Sequence, residues 1–140
     1  MKKIILDTNV LISGIFWNGR TSQLLEHVIR HKVELVASYE MLKEYTAVIN
    51  RIAGKHGKQN LTERWAVMLI EHLSLVDAPK RFKECRDHHD NMFVDCALAS
   101  GARIIVTGDD DLLSLECSVK GIKFLTVDNA LSAFNQTKSG

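Results

Sequence analysis

Met1-Lys2-Lys3-Ile4-Ile5-Leu6-Asp7-Thr8-Asn9 is the stretch from which the rest of the chain is read. Ile4, Ile5 and Leu6 form a short apolar run that stops abruptly at three polar residues, the pattern of a strand buried on both faces. A chain that begins on its central strand builds α/β layers around it, and Asp7 then stands at the carboxyl end of that strand. In open α/β sheets this edge is where ligands bind, because the loops there surround a crevice between strands. A lone Asp in such a place also has a plainer use, as a hydrogen-bond acceptor within the turn. Asp7 is not alone, however: Glu44, Asp90 and Asp109 each lie near the start of an expected helix or the end of an expected strand.

Further strands are expected at Glu34-Leu35-Val36-Ala37, Leu75-Val76, Ile104-Ile105-Val106 and Lys123-Phe124-Leu125. Helices alternate with them. Thr21 or Ser22 caps one with Leu24, Leu25, Val28 and Ile29 on a single face, after a turn marked by Asn18-Gly19. Ser38 caps the strongest, in which Met41, Leu42, Tyr45, Val48, Ile49 and Ile52 repeat with helical spacing. Thr62 caps a third carrying Trp65, Met68, Leu69 and Leu73, and another runs from Asp90 to about Ser100. A short helical piece holds Leu112, Leu113 and Leu115, and a terminal helix capped by Asp128 holds Ala130, Leu131 and Phe134. Pro79 to His89 is charged and aperiodic, which reads as an exposed connection. The alternation implies an α/β fold, a mainly parallel sheet between helical layers, in one domain over residues 1–134, with residues 135–140 a frayed tail.

At 140 residues the chain is long enough for one domain to bury about two-thirds of its unfolded surface. Its 46% hydrophobic and 25% charged residues are ordinary globular values. No apolar run approaches a membrane span and the amino terminus lacks an apolar signal segment, so a cytoplasmic protein without a membrane partner is expected. Cys85, Cys96 and Cys117 are odd in number and widely spaced, which argues against a disulfide framework or a paired-cysteine zinc site. A formal charge of +1 does not point to nucleic acid, and the basic clusters at Arg51 to Arg64 and Lys80 to Arg86 read first as solvated loops.

The carboxylates carry the chemistry. Asp7 and Asp109 both follow short apolar strands, and strand direction alone brings them to one edge of a parallel sheet. Asp90 opens a helix and shares its face with Phe93, Val94 and Ala97, whereas Asp95 projects nearly opposite; an N-cap is the plain alternative for Asp90. Glu44 falls on the margin of its helix's apolar stripe, with Lys43 pointing away and Glu40 further out. Carboxylates gathered this closely repel and raise one another's pKa unless a cation is present. Hard oxygen ligands suit Mg²⁺ or Mn²⁺, ions that accept phosphate oxygens and activate water, so nuclease chemistry is the natural expectation.

At these residues the chain resembles the PIN domain family of metal-dependent ribonucleases, particularly the bacterial and archaeal branch of toxins from toxin–antitoxin pairs. The resemblance rests on Ile5-Leu6-Asp7-Thr8-Asn9-Val10-Leu11, on Ser38 with Glu44-Tyr45, and on Asp90-Asn91-Met92-Phe93-Val94 with Ala97 and Gly101-Ala102. Val106-Thr107-Gly108-Asp109, Asp111-Leu112-Leu113 and Gly121-Ile122 complete it. It implies a three-layer α/β/α sandwich around about five strands. It also implies that Asp7, Glu44, Asp90 and Asp109 are the catalytic, metal-holding acids, with Asp111 an extra or substitute ligand and Asn9 and Thr107 orienting the carboxylates. An RNA substrate, an antitoxin partner and a homodimer follow by the same analogy. Trp17 and Arg20 are candidates to stack on a base and hold a phosphate, and capping the core is an equal use for Trp17. His88-His89 is a candidate ligand or phosphate contact, but adjacent residues on a polar loop read first as solvated. A PIN fold that binds RNA or protein without cutting is the alternative. A signalling receiver domain fits less well, since it calls for paired acids after the first strand and a lysine ending the last, where Lys123 begins its strand.

Overall fold

The computed structural model describes residues 2–17, 19–31, 33–57, 63, 67, 68, 71–115, 119 and 121–138, with side chains through 135. In chain order the elements are β1 (Lys3–Leu6), α1 (Thr8–Phe16), α2 (Arg20–Arg30), β2 (Glu34–Ser38), α3 (Tyr39–His56) and β3 (Leu73–Val76). A 3₁₀ turn (His88–Asp90) then leads into α4 (Asn91–Ser100), β4 (Ile104–Val106), α5 (Asp110–Leu113), β5 (Lys123–Leu125) and α6 (Val127–Lys138). The helix expected after Thr62, with Trp65 and Leu69, falls on positions outside the described residues, as does Cys117; Leu73 belongs to β3.

All strand pairs are parallel, in the order β3-β2-β1-β4-β5. The opening strand is therefore the central one. Ile4, Ile5 and Leu6 pair with Ile104, Ile105 and Val106, and all three are fully buried. Only a strand covered on both faces is apolar at every position, which is why the run reads without alternation. From β1 the chain moves outward to β2 and β3, then returns across β1 to β4 and β5. With right-handed crossovers this reversal places helices on both faces, giving three layers. It also makes the β1–β4 boundary the topological switch point, where the two connections part and leave a crevice at the carboxyl edge.

Ser38 caps α3 as expected, its Oγ accepting from the Met41 amide at 3.2 Å, and Gly57, at φ +64°, ends that helix in the left-handed region where a side chain is disfavoured. Three stretches depart from the sequence reading. Val10 to Phe16 is helical: α1 is covered on nearly every side, so its apolar residues show no stripe. Within α1, Gly14 lies so close to α2 that a Cβ there would meet Leu25 Cδ1 at 2.6 Å. α2 begins at Arg20, ahead of Thr21 and Ser22, and α6 is capped by Thr126, whose Oγ1 accepts from the Asn129 amide at 3.2 Å, leaving Asp128 in the first turn. α6 continues to Lys138, so the tail expected from Asn135 is helical through Lys138, no glycine or proline interrupting it before Gly140.

The segment from Pro79 to His89 is mostly exposed yet tethered. Asp95, 5% exposed, accepts from the Arg81 and Phe82 amides at 3.0 and 2.7 Å, and Asn91 Oδ1 accepts from the Cys85 amide at 3.0 Å. The helical phase of Asp95 holds, but its carboxylate turns into the loop and away from solvent. Cys85 and Cys96 are buried free thiols.

Candidate active site

Four elements deliver acids to the carboxyl edge at the switch point. Asp7 follows β1 directly and remains on the ladder, its amide donating to the Val106 carbonyl at 2.9 Å. Across the crevice, Thr107 follows β4 and is fully buried. Its hydroxyl donates to Asp7 Oδ2 at 2.7 Å and accepts from the Asp109 amide at 3.0 Å. One side chain thus aims Asp7 and sets the turn that carries Asp109. Both acids also cap helices: Asp7 Oδ1 accepts from the Asn9 amide at 3.4 Å, and Asp109 Oδ1 from the Asp111 amide at 2.9 Å.

From the helical side, the buried Tyr45 hydroxyl donates to the Leu6 carbonyl, fastening α3 to the last residue before Asp7. Burial pushes this phenol well above its ordinary pKa, so it remains a donor. Its neighbour Glu44 is half-buried; Oε2 accepts from the Thr8 hydroxyl, and Oε1 pairs with His89 Nε2. That hydrogen bond raises His89 above its ordinary value, opposed by burial and reinforced by the charges of Glu44, Asp87 and Asp90. Asp90, 9% exposed, enters as the residue before α4, makes no cap hydrogen bond of its own, and lies within the electrostatic reach of Asp109.

The acids feel one another. Burial raises the Asp7 carboxyl, opposed by the Thr107 and Asn9 hydrogen bonds and reinforced by the charges of Asp109 and Glu44. Asp90 is pushed up to about 7, by burial first, then by the charges of Asp109 and Asp87, the shared hydrogen bond with Asp109, and the charge of Asp7. A carboxyl near neutrality in a polar crevice marks a cluster of like charge that favours a proton or a cation.

The other candidates have different surroundings. Asp111 faces Arg86 at 3.7 Å, and Asn9 is exposed, its backbone amide donating to Asp7. Trp17 is at the far end of α1 from Asp7, roughly 14 Å along the helix, edge-on to Phe16 and His56. Arg20 is paired with Asp128 at 2.8 Å, tying α2 to α6. Thr8 is a contributor that the sequence did not single out. His89 is exposed, as expected of a polar loop, yet it also pairs with Glu44, 45 positions upstream and beyond any local pattern.

A model of the PIN domain family matches residues 3–111. The chain belongs to the PIN domain family. Over 124 residues, 86% of this chain and 79% of the relative, it is 31% identical to the uncharacterized protein MJ1680 of Methanocaldococcus jannaschii. Its fold is similar to that of PAE2754 from Pyrobaculum aerophilum, with a TM-score of 0.66, 16% identity and 96% of each chain covered. VapBC2 from Rickettsia felis, solved bound to a DNA fragment from its promoter, gives a TM-score of 0.57 at 16% identity over 89% of this chain and 98% of that one. PIN domains are typically nucleases and generally use divalent metal ions.

The donor set here suits such an ion: Asp7, Glu44, Asp90 and Asp109 offer only hard oxygen atoms, and their mutual repulsion favours a counter-charge. Among the described residues no three acid, histidine or cysteine side chains are yet gathered as ligands about one point, and Glu44 is held by Thr8 and His89. No helix among the described residues is long and apolar enough to cross a membrane.

Proposed function

We propose that this PIN domain is a metal-dependent endoribonuclease that hydrolyses RNA phosphodiesters and serves as the toxin of a toxin–antitoxin pair. The observation that carries the reading is the convergence of Asp7, Asp90 and Asp109 at the switch point, where the charge of Asp109 acts on both Asp7 and Asp90. Asp7, Asp90 and Asp109 would hold Mg²⁺ or Mn²⁺, and Glu44 would bind the ion or orient the attacking water. Bound there, a divalent ion supplies charge neutralisation at the phosphodiester and a more acidic water. Thr107 keeps Asp7 aimed into the crevice, while Thr8 and His89 fix the direction of Glu44. Tyr45 holds the end of β1 against α3, which sets Asp7 and Glu44 relative to one another.

The toxin role, with an antitoxin partner and a homodimer, draws on the family branch that the motifs resemble and on the likeness to VapBC2. Two experiments test the proposal. Purified protein should cleave single-stranded RNA with Mg²⁺ or Mn²⁺, and Asp7→Asn should be inactive. Cleavage in excess chelator, or an Asp7→Asn variant as active as the parent, contradicts the metal mechanism; RNA binding without cleavage leaves a binding module instead. Expression should arrest growth, and arrest that persists with Asp7→Asn contradicts the toxin role.

A further inference from the structure

A cavity of about 310 Å³ opens beside the acids, between the first turn of α3, the loop after Pro79, the 3₁₀ turn and the start of α4. His89 forms the shared wall: it lines the cavity and, through Nε2, holds Glu44. The cavity is chemically two-sided. Lys80 and Lys83 stand exposed on its rim, Phe82 and the buried Met92 supply apolar surface, and Glu40 adds a hydrogen-bond acceptor at the edge. The loop is preset, because Asp95 and Asn91 hold the Arg81, Phe82 and Cys85 amides. The lysines therefore stand on a tethered support.

We infer that this cavity is a nucleotide subsite, seating a splayed base of single-stranded RNA against Phe82 and Met92 while Lys80 and Lys83 hold the adjoining phosphate. The inference rests on the ribonuclease reading for its substrate. Small-ligand sites begin at about 300 Å³, so the space suits one nucleoside unit. Proteins read single-stranded RNA by splaying a base onto an apolar or aromatic surface, and a paired base in a duplex is not free to enter. Two lysines without a matching apolar wall would be general phosphate contacts. Here the wall, the lysines and the link to Glu44 through His89 coincide in one cavity.

The test is fluorescence anisotropy with a short fluorescein-labelled single-stranded RNA in chelator, so that binding is read without cleavage. Lys80→Ala/Lys83→Ala should weaken binding about tenfold and reduce the slope of log Kd against log salt by about 0.7, the increment for one phosphate contact on a single strand. Arg103→Ala/Lys123→Ala removes equal charge from exposed positions at the amino ends of β4 and β5, the opposite edge of the sheet, and should stay within about twofold of the parent. Equal losses in both pairs, no loss in either, or a duplex of the same sequence bound as tightly as the single strand overturns the subsite. If the parent binds in this lysine-dependent way yet cleaves nothing with Mn²⁺, the subsite stands and the nuclease reading fails.

Discussion

The Thr107 hydroxyl donates to Asp7 and accepts from the Asp109 amide, so a single fully buried group couples the ends of two strands that are 100 residues apart in the chain. Asp90 shows the cost of that convergence. Its folded pKa, about 7, exceeds the ordinary 3.8, so between those values the native state holds a proton that the unfolded chain has released. Stability must then fall as pH rises through that window, and the penalty is complete above pH 7. His89, also raised, contributes stability below its ordinary 6.5 that is lost as pH passes its folded value, in the same direction. Urea unfolding in chelator should accordingly show the parent more stable near pH 5 than near pH 8. Asp90→Asn, which cannot ionise, should flatten most of that difference, and an unchanged slope would mean that Asp90 does not bear the strain.

Among the elements, α4 carries both a site acid and a tether. Asp90 precedes its first turn, and Asp95, on the other side, accepts two backbone amides of the loop that walls the proposed subsite. Asp95→Ala leaves those donors unpaired and should reduce stability by about 2 kcal/mol, measured by urea unfolding at pH 7. A loss within about 0.5 kcal/mol would show that the tether is dispensable. The helical phase that separates Asp90 from Asp95 was legible in the sequence; the burial of Asp95 was not, because it depends on a charged loop without periodicity. β1 and β4 were readable because a strand covered on both faces is apolar at every position, and α3 because its stripe is long and its Ser38 cap sits where expected. α1 escaped because burial on most sides erases the polar face by which a helix is recognised. The pairing of His89 with Glu44 was not legible because adjacent polar residues carry no periodic signal, and only the approach of α3 supplies the partner.

On the scale of the whole molecule, the strand order places the β1–β4 boundary at the centre of the sheet, and the site is assembled from that boundary together with α3 and the start of α4. Like charges are thus drawn together by packing elsewhere. The core holds the acids in place against their repulsion, and a bound cation should return that energy as stability. A divalent ion at a hundredfold excess over its Kd stabilises the fold by about 2.7 kcal/mol, or roughly 10 °C in Tm for a chain of this size. Asp109→Asn is the informative variant, because Asn caps a helix nearly as well as Asp, so the Asp111 amide keeps its acceptor while one repelling charge is removed. Thermal melts of parent and Asp109→Asn, each in chelator and in Mn²⁺, test directly whether the four acids act as one cation-holding unit. The parent should gain roughly 10 °C with Mn²⁺, and the variant should match or exceed the parent in chelator yet lose most of the metal-induced gain. Equal shifts in the two proteins, or no shift in the parent, would contradict that unit.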